Sequence, residues 1–151
     1  MKNICCFAGH SKDFMVSDIS DKLRCTIEKL ITERGVNEFW VGNYGFFDEI
    51  AAKAVRNAKR EHSEIKLNLI IPYLTKKVSD NSEQYKEDYD NIFIAEIPAK
   101  TPRRLAILKC NEYMVKSSKF LTCYVSSGEG GAAKTLRFAQ KCKNIEIFNL
   151  A

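Results

Sequence analysis

No two of the six cysteines stand as C-x-x-C, no apolar run approaches the ~20 residues of a membrane-spanning helix, and no segment repeats or collapses into low complexity. The first absence removes zinc-ribbon and disulfide frameworks. Cys5, Cys6, Cys25, Cys110, Cys123 and Cys142 lie mostly inside apolar segments, as buried thiols of a reducing compartment do. The second removes a transmembrane helix, and Met1-Lys2-Asn3-Ile4 runs straight into a short apolar segment with no signal-peptide pattern, so a cytoplasmic location is expected. The third removes a linker, so the 151 residues are read as one domain, 1–151, long enough to bury roughly 68–70% of its unfolded surface. An excess of one charge is scarce too. Lys and Arg number 24 against 19 Asp and Glu, and the resulting +5 is spread along the chain with no basic stripe. That balance admits anionic ligands and gives no ground for nucleic acid.

Two nucleotide signatures are also missing, G-x-x-x-x-G-K-[ST] and a G-x-G-x-x-G after the first strand, which disfavours P-loop NTPases and ordinary dinucleotide dehydrogenases. What the chain does have is alternation. Short apolar runs at 4–8, 38–41, 67–71, 92–95, 120–125 and 145–148 read as strands buried on both faces. Between them lie helical stripes. One runs through Ile19, Leu23, Ile27, Leu30 and Ile31, with Ser17 as N-cap and Gly35 as terminator. The next carries Ile50, Ala51, Ala54, Val55 and Ala58. A third opens at Thr101-Pro102 and runs through Leu105, Leu108 and Met114 to about Ser117. The stretch 73–90 shows no period and is left as a flap or a short helix. The pattern predicts an α/β fold, a Rossmann-like three-layer α/β/α sandwich on a mostly parallel sheet of about six strands. Ligands of such sheets bind beyond the carboxyl ends of the strands, where strand order reverses.

The most distinctive stretch is Ser126-Ser127-Gly128-Glu129-Gly130-Gly131-Ala132-Ala133-Lys134-Thr135, where a strand turns into a helix through three glycines. Glycine lets a ligand approach the backbone, and the free N–H groups at a helix start attract phosphate or carboxylate. A tight turn needing glycine for geometry alone is the plainer alternative.

Four motifs in order resemble the YpsA-like branch of the SLOG superfamily, which joins the DprA/Smf proteins and the LOG phosphoribohydrolases. Cys6-Phe7-Ala8-Gly9-His10-Ser11 resembles its strand-plus-GHR opening. Gly42-Asn43-Tyr44-Gly45-Phe46-Phe47-Asp48 resembles its glycine-rich turn ending in aspartate. Asn111-Glu112-Tyr113-Met114-Val115 is similar to its RNxxMV helix, and Gly130-Gly131-Ala132-Ala133-Lys134-Thr135 to its GGTxxT loop. The resemblance implies a Rossmann-like domain binding nucleotides or nucleotide-derived ligands. The departures matter: aligned on the PGGxGTxxE of LOG enzymes, the chain has Glu129 at the proline and Arg137 at the catalytic glutamate. Cys110 and Ser11 replace the arginines of the RNxxMV and GHR motifs. Binding or sensing is therefore expected ahead of nucleoside 5′-monophosphate hydrolysis, and no catalytic residue is assigned.

The candidate ligand-binding residues are Gly9, His10, Ser11, Gly42, Gly45, Asp48, Asn111, Gly128, Glu129, Gly130, Gly131, Ala132, Lys134 and Thr135. His10 suits a ligand phosphate or acid–base work, and equally the capping of nearby backbone. Asp48 suits a ribose hydroxyl, and equally the first turn of its helix. Glu129 suits a general base or plain solvation, and Lys134 and Thr135 face a helix start. Arg103 and Arg104 suit closure over an anion or solvent exposure, and Tyr113 a site or helix packing. No metal and no cofactor is expected. The expected partner is a small nucleotide-like or phosphorylated ligand, with no membrane, nucleic acid disfavoured and a homodimer as the default assembly.

Overall fold

The computed structural model describes residues 2–10 and 16–151. Six strands form one sheet: β1 (Ile4–Gly9), β2 (Glu38–Val41), β3 (Lys66–Ile71), β4 (Asn91–Ile94), β5 (Phe120–Tyr124) and β6 (Glu146–Asn149). The helices are α1 (Val16–Arg34), α2 (Phe46–Ala58), α3 (Lys76–Asp80), α4 (Ser82–Asp88), α5 (Arg103–Ser117) and α6 (Gly131–Gln140). Strand order is β4-β3-β2-β1-β5-β6 and every pairing is parallel, so the predicted Rossmann-like α/β sandwich is the observed architecture.

Alternation of side chains across the strands divides the core in two. Cys5, Phe7, Phe39, Val41 and Leu67 face α1 and α2, and Leu69 and Ile71 continue that face under Val78 of α3 and Tyr85 and Tyr89 of α4. Ile4, Cys6, Ala8, Trp40, Ile70, Leu121 and Cys123 face α5 and α6. Burial pushes the thiols of Cys6 and Cys123 up to about 12, with Cys5 higher still, so these cysteines are packing groups. A polar ladder crosses the amino end of the sheet. Buried Glu38 accepts hydrogen bonds from Trp40 Nε1 (3.1 Å) and Asn68 Nδ2 (2.7 Å), and Asn68 Oδ1 accepts from Asn91 Nδ2 (3.0 Å).

Several local expectations need correction. Helix α1 is under way at Val16, so Ser17 lies within it, whereas Gly35 does end it, at φ +70°. Segment 73–90 contains two short helices, α3 capped by the Thr75 hydroxyl accepting from the Val78 N–H (3.3 Å). Pro102 precedes the first turn of α5, in extended backbone (ψ 144°), and the Thr101 hydroxyl donates to the Pro98 carbonyl (2.6 Å) in place of capping. On α5 the expected Met114 is buried, but its companions in the stripe are Ala106, Cys110 and Val115 in place of Leu105 and Leu108, because the small residues let the helix settle closely on the sheet and turn Leu105 outward. Strand β4 sits at the sheet edge and is largely exposed, so it is not buried on both faces.

Candidate functional site

Strand order reverses between β1 and β5, and there the loops at the carboxyl ends enclose a cleft of about 680 Å³. Gly9 and His10 of β1's end, Tyr44 and Asp48 of the β2–α2 turn, Ile107 and Asn111 of α5, and Tyr124, Ser126, Ser127 and Glu129–Ala132 of the β5–α6 connection supply its walls. The cleft thus gathers Gly9, His10, Asp48, Asn111, Glu129, Gly130, Gly131 and Ala132 from the sequence candidates. Gly42, Gly45, Gly128, Lys134 and Thr135 are not among its lining residues, and Ser11 lies outside the described residues.

Each element places its residue for a local reason. The His10 N–H donates to the Tyr124 carbonyl (3.3 Å), extending the β1–β5 ladder, and its Nε2 accepts from the Ser126 N–H (3.0 Å). His10 therefore holds the approach to the glycine loop, with Nε2 unprotonated in that bond. Ser127 Oγ accepts from the Glu129 N–H (3.1 Å), and Arg137 donates to the Gly128 carbonyl (2.9 Å). The residue at the position of the LOG glutamate is thus a clasp on the loop. Gly130, at φ +94°, reverses the chain into α6, a conformation that suits glycine. The first intrahelical bond of α6 runs from the Lys134 N–H to the Gly130 carbonyl (3.1 Å) and no side chain caps the helix. The N–H groups of Gly131, Ala132 and Ala133 therefore lack helical acceptors at the cleft wall. Thr135 is buried and donates back to the Gly131 carbonyl (2.9 Å), while Lys134 is exposed.

The opposite wall is chemically different. Asp48 Oδ2 accepts from the Tyr44 N–H (3.1 Å), and burial drives its carboxyl up from 3.8 to about 6 against the lowering effect of that bond. Among the described residues the Tyr44 hydroxyl has no hydrogen-bond partner; it is buried beside Tyr73, Tyr85 and Cys110, and burial pushes it up to about 12. Gly42 is needed here, since a Cβ on it would stand 3.2 Å from Asp48 Oδ2. A Cβ on Gly9 would collide with the ring of Phe47 at the start of α2. No lysine or arginine is among the described residues lining the cleft, so its anion-attracting groups are backbone amides.

Other candidates serve the fold. Tyr113 stacks on Trp40 with ring centroids 6.0 Å apart, and the Arg103 guanidinium lies 4.2 Å over the Tyr73 ring. Cys110 is turned to the sheet, its thiol donating to the Ile70 carbonyl (3.7 Å). Away from the cleft, Glu28, Glu61 and His62 bring ligand atoms within 4.8 Å of one another. His62 Nε2 pairs with the Glu28 carboxylate at 3.0 Å, which accounts for the grouping without a metal. Sequence reasoning did not single out Tyr44, Tyr124, Ser126, Ser127 and Ile107. The signal for Tyr44 was its place between two glycines of a motif turn, and that for the serines was their position just ahead of the loop.

The architecture is that of a Rossmann-like α/β domain with an amide-rich cleft at its strand-order switch. Among solved structures it is similar to DNA processing protein A (DprA) from Streptococcus pneumoniae, with a TM-score of 0.69 and 14% identity over 98% of this chain. The chain spans 50% of that protein's length, and at this identity the likeness establishes the fold. The sequence matches no protein-family model and no curated protein.

Proposed function

We propose that the chain is a SLOG-type domain of the YpsA-like branch that binds or senses a nucleotide-like or sugar-phosphate ligand in this cleft. The observation that carries the reading is the uncapped start of α6, entered through Gly130, on the wall of a cleft at the strand-order switch. Three amides without helical acceptors, at the positive end of a helix dipole, suit the phosphate of such a ligand. The four ordered motif resemblances and the DprA-like fold support the same reading, and a cytoplasmic homodimer is the setting proposed for it. DNA processing is a property of DprA; the dispersed charge of this chain argues for a small ligand here.

A thermal-shift series with AMP, GMP, ribose 5-phosphate and inorganic phosphate tests the proposal. A compound at 100 times its dissociation constant stabilises by about 2.7 kcal/mol, a shift of roughly 5–10 °C for a domain of this size. No shift with any of the phosphorylated compounds overturns it. The second reading, hydrolysis of nucleoside 5′-monophosphates, has the cleft in its favour and Arg137 against it. The same AMP sample, assayed for free adenine, separates binding from turnover.

A further inference from the structure

The cleft makes opposite demands at its two ends. The α6 end offers N–H donors, whereas the α2 end offers an acceptor: among the described residues, the Asp48 carboxyl has one hydrogen bond, from the Tyr44 N–H, and no ion-pair partner. A half-buried carboxylate with few donors is held at a cost until a ligand's donors reach it. Whatever occupies this end must bring hydrogen-bond donors and carry no negative charge there. Resting on the sugar-phosphate reading, we propose that Asp48 selects a ligand bearing vicinal hydroxyls beside its phosphate. The domain then distinguishes ribose phosphates from 2-deoxyribose phosphates.

The polarity of such a ligand matches the cleft. Its phosphate, which only accepts, goes to the amides of Gly131 and Ala132, and its hydroxyls, which donate, go to the carboxylate. A bisphosphate would set a second anion against Asp48 and is disfavoured. When a hydroxyl is absent from the ligand, the carboxylate keeps an unsatisfied lone pair in a buried place, and discrimination by a group built to hydrogen-bond is stronger than discrimination by shape.

Calorimetric titration at pH 7.5 with two pairs, ribose 5-phosphate against 2-deoxyribose 5-phosphate and AMP against 2′-deoxy-AMP, tests the assignment. The wild-type protein is expected to bind each ribo compound about 10-fold more tightly than its deoxy partner. In Asp48→Asn, which keeps an acceptor for the Tyr44 N–H, the ratio should fall to within about twofold. Equal binding of both members of each pair by the wild type overturns the Asp48 assignment while leaving sugar-phosphate binding intact. So does an Asp48→Asn protein that still discriminates. If none of the four compounds binds, the underlying reading falls with it.

Discussion

Two groups of glycines lie in or beside the cleft, and they are glycines for different reasons. Gly9 and Gly42 lie against neighbours: a Cβ on the first would strike Phe47, and a Cβ on the second would press on Asp48 Oδ2. Gly128, Gly130 and Gly131 face open space, with nothing within 4 Å of a Cβ built on any of them. The first group lets α2 close on the sheet and sets the acidic wall. The second leaves the amide wall accessible. Packing therefore forbids side chains on one side of the site, whereas on the other only access or backbone conformation does.

Substitutions break this comparison in order of size. Gly9→Val is expected to cost about 3 kcal/mol or more, because the aromatic ring it meets is fully buried and cannot swing away. Denaturant unfolding checks it, and a loss below about 1 kcal/mol would mean that α2 can retreat from β1. Asp48→Asn should act in the opposite direction. With a carboxyl at 3.8 when unfolded and about 6 when folded, the folded state holds the extra proton between those values, so stability falls as pH rises through that window. Above pH 6 the variant should be more stable than the wild type by up to about 3 kcal/mol, the gap closing below about pH 4. Melting curves across pH 4–8 decide it. Gly130→Ala forces an L-residue to φ +94° and should cost about 1–2 kcal/mol with no steric clash. The smallest stability effect belongs to Gly131→Val, within about 0.5 kcal/mol, since its side chain enters open space at a regular helical position. The same change should abolish binding of ribose 5-phosphate, because the new side chain occupies the approach to the Gly131 and Ala132 amides. Normal titration of that variant would remove the glycine loop from the site.

This contrast among the glycines was not legible in the residues alone. Position in the motif gave Gly130 and Gly131 equal standing, but only Gly130 has a positive φ, a fact set by how α6 docks. The architecture was more readable, since apolar runs alternating with helical stripes force a covered parallel sheet whatever the details. Yet a run such as Ile92-Phe93-Ile94 does not say whether its strand is central or at an edge, and β4 proved to be the edge. The α5 face was misjudged for a related reason: counting large apolar residues favours Leu105, whereas close approach to the sheet favours Ala106 and Cys110. The Asp48 turn was visible from its glycines and acid. The buried, unpartnered state of the Tyr44 hydroxyl was not, because it depends on residues distant in the chain such as Tyr73, Tyr85 and Cys110.

The ladder of Glu38, Asn68 and Asn91 joins three neighbouring strands by their side chains at the end of the sheet remote from the cleft. Because strand faces alternate, a slip of β2 by one residue would carry Glu38 and Trp40 together away from the Asn68 amide and into the apolar layer beneath α1 and α2. The observed register is the one that gives this carboxylate its cross-strand amide donor as well as the indole. Each strand is a stiff ruler of fixed rise, so pinning its amino end also fixes where its far end releases the chain. The ladder thus acts as the origin from which the height of the Tyr44–Asp48 turn is measured, and the acidic wall of the cleft inherits its position from a contact it never touches.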